Sequence, residues 1–493
     1  MMRLVVVILG MLAAVPPAAA AVDAPAPSRT RQSITDSTVW WPGPREVWDV
    51  IRLRDYNTRI VVLGTAGLGL AAGMIGTFML LRKRALAGDA LSHATLPGIA
   101  AAFMIMATAG GTGKWLPGLL LGATVTGLMG MGAILFIRHF TKLKEDTALG
   151  IVLSVFFGVG IALMGLVSKM GTGSAAGLES FIYGKTASMV AADARLIGLT
   201  TLAVAAVCAL LFKEFTLLCF DQEYTRSQGW PVTLLDFALM GMVTAVTVIG
   251  LQAVGLILVI ALLIIPPAAA RFWTEHLLKM LVISAVVGAL SGMVGAATSA
   301  LVPRMPAGAV IVAVASIIFV VSLFFGTRRG VLVRWNDRRT LNRRVGMQHL
   351  LRAMYELGEG DQRAKDGDPA GGSPTIPFRP LLHHRSWSGR LLRSLVRRAE
   401  RQDLVVMLPG RAGVRFTEDG WEDARRIVRN HRLWELYLIT HADVAPSHVD
   451  RDADAIEHVL GAEMVRKLEG ILAAREAAPA PVPVPRSPHP VTR

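Results

Sequence analysis

From residue 60 onward, apolar residues run in blocks of about 20, separated by short polar gaps. The blocks fall approximately at 60–81, 93–109, 115–137, 147–168, 194–212, 232–249, 251–270, 279–301 and 308–326. Nine blocks of this length predict nine membrane-crossing helices. Ahead of them, residues 1–21 read Met-Met-Arg, a short apolar core and then Pro-Pro-Ala-Ala. This is the pattern of a secretory signal peptide, the alternative being an uncleaved first anchor. Residues 22–58 are polar and contain Pro, Trp40, Trp41 and Trp48, which predicts an extracytoplasmic arm at the membrane interface. Beyond residue 327 the chain turns charged. There the pattern predicts a helix over 341–357, a Gly-, Pro- and Asp-rich loop over 358–380 and a basic helix over 387–401. A small hairpin follows from 404–407 and 414–416, then a helix over 417–440, a helix over 450–474 and a Pro-rich disordered end. The fold class is an all-α polytopic membrane bundle followed by a small α+β winged-helix domain. The segments are 1–21, 22–58, 59–327, 341–475 and 476–493.

Composition agrees: hydrophobic residues make up 53% and charged ones only 18% of the chain. The net charge of +15 would suit a nucleic-acid partner, but many basic residues flank alternate gaps between the blocks. They follow the first, third, fifth, seventh and ninth, at Arg82-Lys83-Arg84, 138–144, 213–226, 271–279 and from Arg328. The positive-inside rule then puts every basic loop and the C-terminal domain in the cytoplasm of a plasma (inner) membrane protein. Cys208 and Cys219 are the only cysteines, which argues against a disulfide framework or a thiolate metal site. Glycines line the first block (Gly64, Gly67, Gly69, Gly73, Gly76) and the eighth (Gly288, Gly292, Gly295), so a closely packed bundle is expected. Pro266-Pro267 is expected to break the seventh helix.

The stretch Gly88-Asp-Ala-Leu-Ser-His-Ala-Thr-Leu-Pro-Gly98 sets Asp89 and His93 four residues apart at the mouth of an apolar block. On a helix they share one face. A carboxylate and an imidazole suit a borderline divalent transition metal, and ionisable groups inside a membrane are usually functional. The alternative is a helix-start carboxylate beside a locally packed His. Residues 213–230, the most polar gap, predict an amphipathic helix stopped at Gly229, either lying at the interface or docking a partner. The chain has no Gly-x-x-x-x-Gly-Lys-Ser/Thr loop, so it is not expected to hydrolyse ATP itself and no enzyme activity is expected here.

Residues 55–327 resemble the permease subunit of the manganese/zinc/iron ABC importers. The resemblance is carried by 88–98, Glu-Asp-Thr-Ala-Leu-Gly-Ile (145–151) and Phe-Asp-Gln-Glu-Tyr-Thr-Arg-Ser-Gln-Gly (220–229). Ala-Leu-Leu-Ile-Ile-Pro-Pro-Ala-Ala-Ala (261–270) and Pro-Ala-Gly (306–308) complete it. It implies a permease homodimer, or a heterodimer with a second permease, a cytoplasmic ABC ATPase and an extracytoplasmic metal-binding protein. It also implies that Asp89 and His93 line the metal pathway at the dimer axis. Phe220, Asp221, Glu223, Arg226 and Gly229 would couple to the ATPase.

Residues 341–472 resemble the iron- and manganese-dependent transcriptional repressors of the diphtheria-toxin-repressor type. Three pieces carry this: Leu-Leu-Arg-Ala-Met-Tyr-Glu-Leu (350–357), Arg-Asn-His-Arg-Leu-Trp-Glu-Leu-Tyr-Leu (429–438) and Asp-Ala-Ile-Glu-His-Val-Leu (454–460). The implied regulatory metal ligands are His349, His431, Glu435, Asp454, Glu457 and His458, with Asp450 at an ancillary position. Asp454 stands where the family often has Glu or Cys, and His349 where it has Asp or Met, which leaves metal selectivity open. A surface cluster of charged helix residues is the alternative. Arg390, Arg393 and Arg397, beside Arg398, could reach DNA phosphates, but the loop-like segment before them argues against DNA binding.

The reading is a permease of an ATP-driven importer of divalent manganese, zinc or iron, with a fused cytoplasmic metal-sensing domain. The rivals are a membrane-anchored, metal-dependent DNA-binding regulator and a proton-coupled secondary transporter.

Overall fold

The computed structural model describes residues 43–109, 115–169, 184, 186–302, 305–359, 374–384, 387–409 and 413–441. Outside the described residues lie the signal segment 1–21, Trp40 and Trp41, the helix expected over 450–474 and the tail 476–493. The chain forms two compact units that divide between Arg334 and Trp335.

The first unit opens with α1 (Pro44–Ile51), a short helix within the expected arm. Trp48 and Ile51 are exposed on it, and Arg52 stacks over the Trp48 ring at 4.7 Å. Among the described residues, eight helices are long and apolar enough to cross a membrane. They are α2 (Tyr56–Leu81), α3 (Ala87–Thr108), α4 (Leu116–Phe140), α5 (Glu145–Lys169), α6 (Ala191–Leu210), α9 (Val232–Val254), α11 (Leu277–Leu301) and α12 (Ala307–Phe325). Two short helices, α7 (Phe212–Phe220) and α8 (Gln222–Ser227), fill the polar gap between α6 and α9.

The seventh expected span, 251–270, is divided. Its first residues end α9, the chain turns at Gly255 with φ +88°, and α10 (Leu256–Ala270) follows with 15 residues. At about 1.5 Å per residue α10 covers only about 22 Å. It nevertheless runs from one end of the bundle to the other. The Val254 carbonyl just before it lies against Gly184 and Gly308, beside the start of α12. Beyond its other end the Phe272 carbonyl accepts from the backbone N–H of Arg328 and Arg329, just past the end of α12. Pro266 and Pro267 do not break α10, which continues to Ala270. Neighbouring helices accommodate the carbonyls that the prolines leave without a helical donor, and the Leu263 carbonyl is packed against Gly76 of α2.

Helix α2 is the centre of the bundle, buried at every residue from Ile60 to Met79. It packs on α11, α6, α10 and α9. At its crossing with α11 the backbones touch: a Cβ at Gly69 would fall 2.1 Å from the Gly288 carbonyl oxygen, and one at Gly288 would fall 2.0 Å from that of Gly69. Interhelical hydrogen bonds sit beside these contacts. Thr65 Oγ1 donates to the Gly292 carbonyl at 3.1 Å, Ser284 Oγ to that of Gly73 at 2.7 Å and Thr201 Oγ1 to that of Gly67 at 3.0 Å. Such contacts take the place of the hydrophobic effect, which does not drive helices together within lipid. Helices α3, α4 and α5 form a second packed group.

The second unit holds α13 (Val331–Glu359) from Trp335 on, then α14 (Phe378–His384), α15 (Gly389–Arg401), β1 (Val405–Met407), β2 (Val414–Phe416) and α16 (Glu418–His441). The strands pair antiparallel with Val405 opposite Phe416, and Ile376 adds a bridge to Val414. This is the expected winged helix. Its first helix starts ten residues before the expected 341. Helix α14 occupies the end of what reads as a loop, because Phe378, Leu381 and Leu382 present an apolar face at i, i+3 and i+4. Helix α15 is capped by Ser388 Oγ, which accepts from the Leu391 N–H, and it buries Leu392, Leu395, Val396 and Ala399.

Charge pairs join these helices. Glu356 accepts from Arg352 Nε at 2.6 Å and pairs with His384 Nε2 at 2.9 Å, while Arg432 forms a two-pronged pair with Glu359 at 3.0 and 2.5 Å. Burial alone would raise the Glu356 carboxyl, but the His384 hydrogen bond and the Arg352 charge and hydrogen bond bring it down to about 2.

Two outcomes follow from this packing. Gly69→Ala should reduce the folded, extractable protein and lower its melting temperature, overpacking costing about 1–3 kcal/mol or more. Gly132→Ala, where a Cβ meets nothing within 4 Å, should do neither in the same fluorescence-detected melting assay. In the second unit, the Glu356 carboxylate stabilises the fold above its ordinary value of 4.5, and this is lost as pH falls toward about 2. Glu356→Gln should therefore weaken hydrogen-exchange protection in α13 and α14 by on the order of 3 kcal/mol near neutral pH. The difference from wild type should vanish as the pH is lowered through that window.

Candidate functional site

Helix α3 begins inside the bundle and not at its edge. The chain leaves α2 through Arg82-Lys83-Arg84, with Lys83 at φ +60°, and the Arg84 carbonyl accepts from the Ala87 N–H at 2.9 Å. Gly88 packs on Leu263, the residue that also meets Gly76 of α2. Gly76 lies five residues before the end of α2, so α3 starts about 8 Å inside the basic end. The His93 ring packs edge-on against Phe157 at 4.8 Å, and Phe157 is the middle residue of α5. The pair expected at the mouth of a span therefore sits about halfway along the bundle.

From Ala87 to Ala100 every residue of α3 is buried except Asp89 and His93, whose side chains are 28% and 18% exposed. They form a narrow polar opening on an apolar helix. His93 Nε2 lies 3.3 Å from Asp89 Oδ1, while its Nδ1 is buried with no hydrogen-bond partner. When the ring proton sits on Nε2, facing the carboxylate, Nδ1 carries the free lone pair. Among the described residues, no three His, Cys, Asp or Glu side chains gather to hold a metal, so one chain offers two donors.

The 213–230 segment is two helices, not the single one expected. Asp221 is extended (φ −146°, ψ 101°) and its carboxylate caps α8 by accepting from the Tyr224 N–H at 2.9 Å. This Asx-type cap competes with continued helix and splits the segment. Phe220, Glu223, Tyr224 and Trp230 are exposed, Arg226 pairs loosely with Glu223 at 3.7 Å, and Gly229 ends α8 with φ +80°.

Beneath this segment lies a group that the sequence reading passes over. Asp236, near the start of α9, is buried and accepts from three arginines. Arg82 reaches it at 2.7 and 3.0 Å, Arg84 at 3.1 and 3.4 Å, and Arg138 at 2.9 Å. Arg84, with no exposed side-chain surface, also pairs with Glu145 at the start of α5. The signal was present: an acidic residue inside an apolar block is costly unless paired.

In the second unit, α16 brings His431 and Glu435 together, both buried, with His431 Nε2 3.2 Å from Glu435 Oε1. Arg352 of α13 lies against the other ring nitrogen at 2.9 Å. His349 lies on α13, and Asp450, Asp454, Glu457 and His458 fall outside the described residues. Arg390, Arg393 and Arg397 are all exposed on α15. Helix α14 is a compact helix ahead of α15, where the sequence reads as a loop.

Comparison with known proteins bears on both units. Residues 54–326 match the ABC 3 transport family, and residues 417–486 match the iron dependent repressor, metal binding and dimerisation domain. The manganese transport system membrane protein MntC of Bacillus subtilis is 35% identical over 403 residues, 82% of this chain and 88% of that protein. An alignment of that length exceeds residues 1–326 and so extends into the second unit. The zinc transport system membrane protein TroC of Treponema pallidum is 42% identical over 286 residues, 58% of this chain and 94% of that protein. Among solved structures, PsaBC from Streptococcus pneumoniae in complex with Fab superposes with a TM-score of 0.50 at 30% identity, over 58% of this chain and 97% of that one. The chain belongs to the ABC 3 transport family.

Proposed function

We propose that this chain is the permease subunit of an ATP-driven importer of a divalent transition metal (manganese, zinc or iron), in which Asp89 and His93 line the metal's path. The observation that carries the reading is the opening of α3 at these two side chains alone, halfway along the bundle. Oxygen and nitrogen donors without thiolate accept all three metals. Two donors per chain become four when two copies meet about a two-fold axis, so the metal's site is shared between permeases. The relatives named as manganese and zinc transport proteins support the substrate class.

The energy comes from a separate ATPase, since the chain carries no phosphate-binding loop. Phe220, Asp221, Glu223, Arg226 and Gly229 belong to the segment that meets it at the basic, cytoplasmic end of the bundle. An extracytoplasmic binding protein delivers metal to the far end. The second unit is a cytoplasmic regulator responsive to metal. DNA binding by α15 is the second reading, favoured by α14 and the three exposed arginines. If it holds, the detergent-solubilised full chain binds duplex DNA with an affinity that falls steeply with salt. Arg393→Ala then flattens that slope by about one unit.

The deciding experiment measures manganese, zinc and iron in cells that express the chain with its ATPase and binding protein under limiting metal. One metal should accumulate, and His93→Ala or Asp89→Asn should lower its uptake by about tenfold or more at equal protein in the membrane. Uptake indifferent to both substitutions overturns the assignment of the path.

A further inference from the structure

The Asp236 cluster spends each of its guanidinium groups twice. Arg82 bonds Asp236 and also donates from Nη1 to the Leu218 carbonyl near the end of α7, at 3.0 Å. Arg138 bonds Asp236 and also donates from Nη2 to Gln222 Oε1 at the start of α8, at 3.2 Å. Arg84 bonds Asp236, pairs with Glu145 at the start of α5 and, through its carbonyl, holds the first turn of α3. One buried carboxylate thus joins the two ends of the α7–α8 junction to the starts of the two helices that carry His93 and its packing partner Phe157.

We infer that this cluster is the transmission between the ATPase-facing segment and the metal path, with Arg138, Arg82 and Arg84 as positioning residues that move α3 and α5 when α7 and α8 move. The inference rests on the importer reading. Three properties favour it over a purely structural clamp. The connections are divided by destination: Arg82 and Arg138 face the segment, while Arg84 faces α3 and α5. The cluster is dry at its centre, with Asp236 and Arg84 side chains 3% and 0% exposed. Pulling a guanidinium away from a buried carboxylate leaves both uncompensated, so the pairs hold and a displacement is passed on instead of being absorbed. Finally, the segment's outer face is open at Phe220, Tyr224 and Trp230, where a partner can push.

The test separates coupling from folding. In proteoliposomes containing the permease–ATPase complex, with the metal-loaded binding protein supplied at its extracytoplasmic face, ATP hydrolysis and uptake of manganese, zinc or ferrous iron are measured on the same vesicles. Arg138→Met removes the link to α8 but leaves Arg82 and Arg84 on Asp236. Hydrolysis should persist within about twofold while metal moved per ATP falls roughly tenfold, and Arg138→Lys should recover part of it. Gln222→Leu cuts the same link without touching a buried charge and should lower the ratio in the same direction, so it decides the matter if Arg138→Met fails to assemble. Transport per ATP unchanged in Gln222→Leu, or hydrolysis and uptake falling in proportion, overturns the inference and leaves the cluster a clamp. A wild-type complex that moves none of the three metals overturns the importer reading itself, and the inference with it.

Discussion

The contact on which the rest of the bundle depends is the touching of backbones between α2 and its neighbours. Lipid gives helices no hydrophobic reason to associate, so close approach and interhelical hydrogen bonds must hold them. Gly69 against Gly288 fixes α11, and Gly76 against the Leu263 carbonyl fixes α10. Leu263 in turn receives Gly88, which sets how deep α3 begins. The depth of Asp89 and His93 is therefore decided by two glycine contacts with Leu263, one from α2 and one from α3 itself. A larger residue at Gly76 would shift Asp89 and His93, and with them the proposed metal path, without touching either side chain.

Charge is arranged around the same frame. A carboxylate as buried as Asp236 would cost several kcal/mol if isolated. Here five charge-assisted hydrogen bonds from three guanidiniums meet its two oxygens. Two of those arginines come from the cluster that the positive-inside rule explains by topology alone. The same residues thus orient the first span and build a buried joint after it, so substitution at Arg82 or Arg84 confounds insertion with coupling. Arg138 belongs to a basic flank as well, but it is partly exposed at the end of α4 and its link to α8 can be cut from the other side, at Gln222.

What was legible in the sequence follows from the range over which each signal acts. Apolar blocks and the i, i+4 pair of Asp89 and His93 are local patterns, and both stand in the structure. The winged helix was readable from its hairpin and from the spacing of Leu392, Leu395, Val396 and Ala399. Three features were not. The partners of Asp236 lie between 98 and 154 positions away, beyond the reach of any periodicity. The starting depth of α3 depends on packing against α10. The two prolines of α10 stayed helical because neighbouring helices outweigh a local propensity. Two misses were readable. Asp221 followed by Gln-Glu-Tyr is an N-cap pattern, and Phe378, Leu381 and Leu382 form an apolar face within an otherwise polar loop.

The modest donor set on α3 suits passage better than storage. A closed set of thiolates and imidazoles holds zinc with apparent free energies of roughly 10–16 kcal/mol, which would trap a transported ion. In the dimer proposed above, one carboxylate and one imidazole from each of two copies would complete a site only when the copies align, and any shift between them would open it. The carboxylate of Asp89 stays within 3.3 Å of His93 Nε2, so the two side chains keep each other as a charge partner. In the importer proposed here, a shift of α3 relative to its copy is then enough to convert binding into release. The ion need only be surrendered, because the energy that moves the helix enters elsewhere, through the arginines at the foot of α2 and α4.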